Sequence, residues 1–264
     1  MIKVKTKLDK KRIPKHIGII MDGNRRWAAK KGLTAVQGHE AGVKALVKIV
    51  EHCLELGIDT LTIYALSTEN WRKRAKKEVE GIFNLLLKLV EEKKEEYKEK
   101  GIKLAILGNF QAFPKKVVRA IEEMLSVVKT HERLKVNVAL NYGGRDEIIR
   151  AVQKIVKEEI PSKKINEKMF NEFLYTNGES DPDLVIRTGG PIPFGRILLR
   201  QSSTKLSLSI RREQDVLAVG SLLFIERKNS QPSPSKDSNP KDNLQNLDKP
   251  IRYKDNNKAN NGIG

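Results

Sequence analysis

Cysteine is all but absent from this chain: Cys53 is the only one among 264 residues. A disulfide framework within the chain is therefore excluded, and with it the small stapled secreted scaffolds. Cys53 falls on the apolar face of an expected helix, where a buried inert thiol is the natural reading. No apolar run reaches the roughly 18 residues a membrane-spanning helix needs, and no secretory leader is recognisable. The expectation is a cytoplasmic protein whose membrane contact, if any, is peripheral. Acidic residues are also in deficit, with 33 Asp and Glu against 51 Lys and Arg, a formal charge of +18 and a pI near 9.8. That balance favours anionic partners: nucleic acid, an anionic membrane surface or phosphorylated substrates. Where lysines interleave with glutamates, as from Glu91 to Lys100, the charge reads as a solvated helix face. With 39% hydrophobic residues, the chain can bury one sizeable core and carry a tail.

Along the chain, residues 1–14 form a basic arm ending at Pro14. An apolar run from Ile17 to Met21 predicts a buried strand, followed by a short helix closed by Gly32 and a loop carrying Gly38 and His39. Val43, Leu46, Val47, Val50, Cys53 and Leu54 recur at helical spacing between Glu40 and Leu56, with Gly57 as the stop. A second strand is expected over Thr60–Leu66 and a long helix over Lys77–Lys100. Strands over Ile102–Leu107 and Lys135–Leu140 alternate with helices over Pro114–Lys129 and Gly144–Glu158. A short helix around Glu167–Tyr175 precedes a last strand that ends at Arg187. Such alternation predicts an α/β fold, a central mainly parallel sheet with flanking helices. In the long helix, Leu85 and Leu89 widen the apolar face beyond what a surface helix needs; core packing explains this, and so does the wall of an apolar tunnel.

In a parallel sheet, ligands gather beyond the carboxyl ends of the strands. Three strand ends here carry clustered polar chemistry. The first strand stops at Asp22-Gly23-Asn24-Arg25-Arg26-Trp27, where an acid is placed like a metal ligand, a glycine permits close backbone approach and two guanidinium groups can clamp an anion. Diphosphate with Mg²⁺ fits that set, and a bare Asp-Gly turn with two surface arginines fits these residues equally when they are read alone. The second strand ends in Ser67-Thr68-Glu69-Asn70-Trp71. The last ends in Arg187-Thr188-Gly189-Gly190. The shared placement at one rim is what raises these clusters above ordinary loops.

These blocks, His16–Trp27, Gly38-His39, Ser67–Trp71, Asn141–Arg145 and Asp183–Gly190, in this order and spacing, resemble the cis-prenyltransferase family of the undecaprenyl diphosphate synthase type. The resemblance spans about residues 12–190, so residues 15–190 are expected to form the catalytic domain. It implies condensation of isopentenyl diphosphate with an allylic diphosphate such as farnesyl diphosphate in the cis configuration, Mg²⁺ as cofactor, a homodimer and an apolar product tunnel. On this resemblance Asp22 would engage Mg²⁺ and the allylic diphosphate, and Gly23, Asn24, Arg25 and Arg26 would hold that diphosphate. Trp27, Ser67, Thr68, Glu69 and Trp71 would line the substrate site. Asn70 would sit near the proton that isopentenyl diphosphate loses; an amide orients by hydrogen bonding, and the released diphosphate or a water takes the proton. Arg187 would grip isopentenyl diphosphate and His39 would lie beside the diphosphates, although a helix-entry histidine bonded to backbone is its alternative reading. The lipid product is the expected reason for any membrane contact.

The chain departs from the family pattern in three places. Ala35 stands where members carry an arginine. After Trp71 the run Arg72-Lys73-Arg74-Ala75 is one residue longer than the family's, so either Lys73 or Arg74 fills the family's arginine position. After Gly190 the family's glutamate, arginine and serine are replaced by Pro191-Ile192-Pro193-Phe194-Gly195, and Leu206 falls where a further glutamate is expected. Residues 191–227 thus form an aberrant or divergent segment, read either as a shift of reading frame near residue 190 or as genuine divergence. Residues 228–264 have the low-complexity composition of a disordered tail. The expected consequence is a weakly active or inactive protein. A non-catalytic subunit of a prenyltransferase complex is the alternative, though it has no need of Asp22, Asn70 and Arg187. A nucleic-acid-binding role is set aside because no binding motif is present.

Overall fold

In a computed structural model of the chain, residues 13–128, 133–189 and 206–210 are described. Six strands form one sheet: β1 (His16–Ile20), β2 (Thr60–Ser67), β3 (Ile102–Leu107), β4 (Leu134–Tyr142), β5 (Leu184–Thr188) and β6 (Leu206–Ile210), in the order β3-β4-β2-β1-β5-β6. Every pairing is parallel. The central strands read as near-continuous apolar runs, and Ile17, Ile19, Leu61, Ile63, Val136 and Ile186 are all buried, as both-face covering of a parallel sheet requires. The helices are α1 (Asn24–Lys30), α2 (Ala35–Leu56), α3 (Thr68–Lys73), α4 (Lys76–Glu99), α5 (Lys115–Val127), α6 (Gly144–Lys157) and α7 (Glu167–Glu172). Among the described residues no helix is long and apolar enough to cross a membrane.

The expected alternation holds, and three boundaries move. Gly38 and His39 lie in the opening turns of α2 and not in a loop, because Thr34 and Gln37 close a reciprocal capping box: the Thr34 hydroxyl accepts from the Gln37 amide at 3.3 Å and the Thr34 amide donates to Gln37 Oε1 at 2.9 Å. That Thr-x-x-Gln signature is the start signal that the apolar spacing alone conceals. Helix α1 begins at Asn24, before Trp27, on an N-cap Gly23 whose φ of 103° suits a residue without Cβ. Strand β4 runs on through Asn141 and Tyr142, positions expected in a turn. The apolar run Val216–Ile225 and the basic arm through residue 12 lie outside the described residues, as does the tail from residue 228.

β6 is a strand inside a segment expected to be aberrant. Leu206-Ser207-Leu208-Ser209-Ile210 alternates with the period of two that marks a strand, and it pairs with β5 from Leu184↔Leu206 to Thr188↔Ile210.

Cys53 is 1% exposed, and burial pushes its thiol up to about 12, so it is an inert core group. A buried polar strip crosses the sheet at His16, whose Nδ1 donates to the Ser180 carbonyl at 2.7 Å while Nε2 accepts from the Thr62 hydroxyl at 2.8 Å. Burial lowers the His16 pKa, against the pull of the Ser180 carbonyl and of Glu179, Asp183 and Asp181. The folded chain therefore holds His16 neutral while the unfolded chain binds a proton below about pH 6.5. Stability from this group is complete above that pH and is lost as pH falls through it. Urea unfolding between about pH 7 and pH 5 is expected to show a steeper loss in the parent than in His16→Gln, by up to about 1.4 kcal/mol per pH unit; equal slopes would contradict it.

Candidate active site

Parallel pairing brings the ends of β1 and β5 together, with Ile20 in register with Arg187. Two residues beyond Ile20, the Asp22 carboxylate accepts from Arg187 at 2.6 Å through Oδ2 and from Arg26 at 3.3 Å through Oδ1. Arg26 also donates to the Gly189 carbonyl at 2.6 Å. The Asp22 backbone is fixed by the Thr188 hydroxyl, which donates to its carbonyl at 2.7 Å. Gly189 sits so close that a Cβ there would meet the Asp22 carbonyl at 2.8 Å. Asp22, Arg26 and Arg187 therefore form one locked group, drawn from two of the three strand-end clusters.

A second group faces it from the helices. Glu78, in the first turn of α4, accepts from His39 Nε2 at 3.0 Å and is ion-paired with Arg74 at 3.2 Å and Arg25 at 3.8 Å. Burial lowers the His39 pKa, with Arg74 and Arg25 adding to the effect against Glu78. The imidazole is thus a neutral donor to Glu78. Burial by itself would raise the Glu78 pKa, yet the His39 hydrogen bond and the Arg74 and Arg25 charges hold it below the ordinary value. Sequence reasoning missed Glu78; its signal was the spacing of four from Arg74 at a helix start. Asn24 reaches the same region because α2 presents Gly38 and Gly42 to it: a Cβ on Gly38 would lie 2.3 Å from the Asn24 carbonyl oxygen, and one on Gly42 2.5 Å from its amide.

The structure separates Lys73 from Arg74. The Lys73 side chain is 75% exposed and reaches back to Glu69 at 2.9 Å, whereas Arg74 is 16% exposed, and its Nε is buried without a hydrogen-bond partner. Ser67 caps α3 by accepting from the Asn70 amide at 3.1 Å, Thr68 is buried, and Asn70 is exposed. Trp71 packs against Phe83 and Phe113 with ring centroids 5.4 and 5.0 Å away, and Lys31 lies over the Trp27 ring.

Asn24, His39 and Arg74 stand at the mouth of a cavity of about 170 Å³ between the sheet, α2, α4 and α5. Beyond them its wall is apolar, with Leu46, Leu85, Leu86 and Leu89 on the helices facing Ile63, Ile106 and Val138 on the strands. Tyr97, 5% exposed, lines its deep end; at 1.5 Å per residue it lies about 28 Å along α4 from Glu78. The tunnel-wall reading of Leu85 and Leu89 is the one the packing supports.

Among the described residues no group of three or more His, Cys, Asp or Glu side chains could hold a metal on its own. The donor set suits Mg²⁺ in another way, since that ion is commonly held by one or two carboxylates together with substrate phosphates. Asp22, its side chain 35% exposed at the rim, is the carboxylate available for such sharing.

The family described as undecaprenyl diphosphate synthase matches residues 20–210. An isoprenyl transferase of Clostridium perfringens is 41% identical over 194 residues, 72% of this chain and 76% of that protein. A tritrans,polycis-undecaprenyl-diphosphate synthase (geranylgeranyl-diphosphate specific) of Pyrococcus furiosus is 44% identical over 199 residues, 72% and 74% of the two chains. Among solved structures, lavandulyl diphosphate synthase from Lavandula x intermedia, in complex with dimethylallyl diphosphate, superposes with a TM-score of 0.71 at 28% identity, covering 81% of this chain and 96% of that one.

Inorganic diphosphate offers a direct test of the mouth. Losing a buried guanidinium from a phosphate costs about 2–5 kcal/mol, so Arg74→Ala is expected to weaken diphosphate binding in calorimetry by roughly 30-fold or more. Lys73→Ala, at an exposed pair, should change it by less than about threefold. The reverse order would assign the role to Lys73.

Proposed function

The chain belongs to the undecaprenyl diphosphate synthase family of cis-prenyltransferases, and from that premise we propose that it condenses isopentenyl diphosphate with an allylic diphosphate such as farnesyl diphosphate to give a long-chain polyprenyl diphosphate. The observation that carries this reading is the junction of two unlike environments: Asn24, His39 and Arg74, a polar group that suits a diphosphate, line the same cavity whose remaining wall is apolar and suits a prenyl chain. The primer named here is one choice among allylic diphosphates.

In the proposed reaction the allylic C–O bond breaks, diphosphate leaves, and the double bond of isopentenyl diphosphate closes a new C–C bond on the allylic carbon. A proton is then lost from the elongated chain to the released diphosphate or a water. Arg26, Arg74 and His39 hold the allylic diphosphate beside Asp22, with Gly23, Asn24 and Arg25 at the same helix start; Arg187 takes the second diphosphate. Charge developing on the leaving group is met by these fixed donors, which need no reorganisation as the bond breaks. Mg²⁺, held by Asp22 and phosphate oxygens, would supply further charge stabilisation. Ser67, Thr68, Glu69, Asn70, Trp27 and Trp71 complete the substrate pocket, with Asn70 orienting the group that loses its proton. The apolar wall down to Tyr97 receives the growing chain. A cytoplasmic location goes with this reading.

Pro191–Gly195 carries neither charge nor hydroxyl, and the proposal includes a slowed enzyme on that account. Incorporation of radiolabelled isopentenyl diphosphate with Mg²⁺ and farnesyl diphosphate tests both parts. Weak turnover is expected in the parent and none above background in Asp22→Ala. Pro191→Glu, Pro193→Arg, Gly195→Ser and Leu206→Glu together should raise turnover at least about 10-fold, since the recovered arginine–phosphate contact alone is worth about 2–5 kcal/mol. Absence of turnover in the repaired chain would favour a non-catalytic subunit, and full turnover in the parent would remove the impairment.

The homodimer is proposed on α6, where Ile149, Val152 and Val156 form an exposed apolar stripe, 59%, 45% and 70% exposed, at spacings that share one helix face. Burial of such a stripe against a second copy removes it from water. Val156→Asp is expected to shift the chain to monomer in sedimentation analysis; an unchanged mass would move the interface elsewhere.

A further inference from the structure

We propose that the rim around the cavity mouth docks on an anionic lipid bilayer, so that the cavity opens toward the membrane. This rests on the polyprenyl reading of the cavity and adds the face and the surface chemistry that receives it. Between Asn24 and Leu33 and between Thr68 and Glu80, nine Lys and Arg residues stand against three glutamates. Arg25 and Arg74 are engaged at Glu78, and Arg26 at Asp22. Lys30, Lys31, Arg72, Lys76 and Lys77 are exposed beyond them. The elements that carry them are joined at the mouth, since Glu78 draws Arg25 of α1 and Arg74, at the end of α3, to the start of α4. Leu33, just past α1, is 37% exposed.

The charge is not an even coat over the molecule. At the far end of α4, Lys88 to Lys100 holds five lysines and five glutamates, many paired with one another, as Lys93 and Lys100 are with Glu96. Among the described residues the excess of cations lies in residues 24–33 and 68–80, beside Asn24, His39 and Arg74 of the cavity lining. Diphosphate binding uses the guanidinium groups turned inward to the two carboxylates; the exposed lysines have no part in it. A bilayer with anionic headgroups is flat enough to meet side chains from three helices at once and takes up the apolar product where it emerges. Each basic residue within a Debye length of such a surface strengthens partition roughly fivefold.

The test uses the full chain with vesicles of phosphatidylcholine alone or mixed with phosphatidylglycerol, read by sedimentation, which needs no turnover. Binding is expected only to the anionic vesicles and to fall as salt rises. Lys30→Gln, Lys31→Gln, Lys76→Gln and Lys77→Gln together should weaken it by on the order of a hundredfold or more, with melting temperature and turnover in detergent unchanged. Removing as many charges elsewhere, at Lys154, Lys157, Lys163 and Lys164, should weaken it by less than about fivefold. Equal losses in the two variants, equal binding to neutral vesicles, no binding, or displacement of the vesicles by random duplex DNA would each overturn the proposal. Vesicle binding without product formation leaves the docking face standing and rejects the enzymatic reading; product formation without vesicle binding does the reverse.

Discussion

A guanidinium group withdrawn from water needs an anion, and the upper edge of this sheet is arranged around that requirement. Arg187 and Arg74 each keep only 16% of their side chains exposed, and each is met by a carboxylate, Asp22 at 2.6 Å and Glu78 at 3.2 Å. Such pairs add little net stability once desolvation is counted, but stripping one partner leaves a costly buried charge. Their use is positional. The carboxylates hold the cations in place with their charge compensated, and on the proposed reading a diphosphate would share or displace anionic contacts already aimed at the same spot. The rim is preorganised because its charges are satisfied within the protein itself.

Satisfying them there is a consequence of parallel pairing and close backbone contact. Ile20 beside Arg187 fixes the Asp22 group across 165 residues of chain. The Glu78 group depends on α1 lying nearly against α2, which only residues without Cβ at Gly38 and Gly42 allow. A methyl group at either would press on Asn24 and push Arg25 and Arg26 off the rim. The polar geometry is thus set by apolar strands and by two glycines that touch no ligand.

Much of this was legible in the sequence, because strand-end chemistry survives as short contiguous clusters. Asp22, Arg26 and Arg187 were each readable as polar residues closing an apolar strand, and the parallel fold then brings them together. Glu78 was not readable in that way, since it looks like any glutamate in the first turn of a long helix; its meaning comes from His39 and Arg74, which reach it from other elements. Lys73 and Arg74 are neighbours of the same charge, and only the end of α3 decides which turns inward. The α2 boundary was misplaced because apolar spacing was followed and the Thr34–Gln37 box was not. β6 is hidden by its place in a segment that departs from the family pattern, although the alternation of its serines with Leu206, Leu208 and Ile210 is a strand period.

The cavity is where sequence could go no further, and it carries the strongest argument for a function that needs it. Leu85 and Leu89 have the same chemistry whether they fill a core or line a tunnel. Energetically the two cases differ. On the scale at which voids destabilise cores, about 24 cal/mol per Å³, an opening of about 170 Å³ costs roughly 4 kcal/mol, a large part of the 5–15 kcal/mol that holds a typical domain together. A few larger side chains at Leu85, Leu89 or Ala65 would recover most of it. A chain that leaves this space open beside Arg74 has traded stability for room, and a ligand apolar along its length and anionic at its head, as proposed, would make the trade worthwhile.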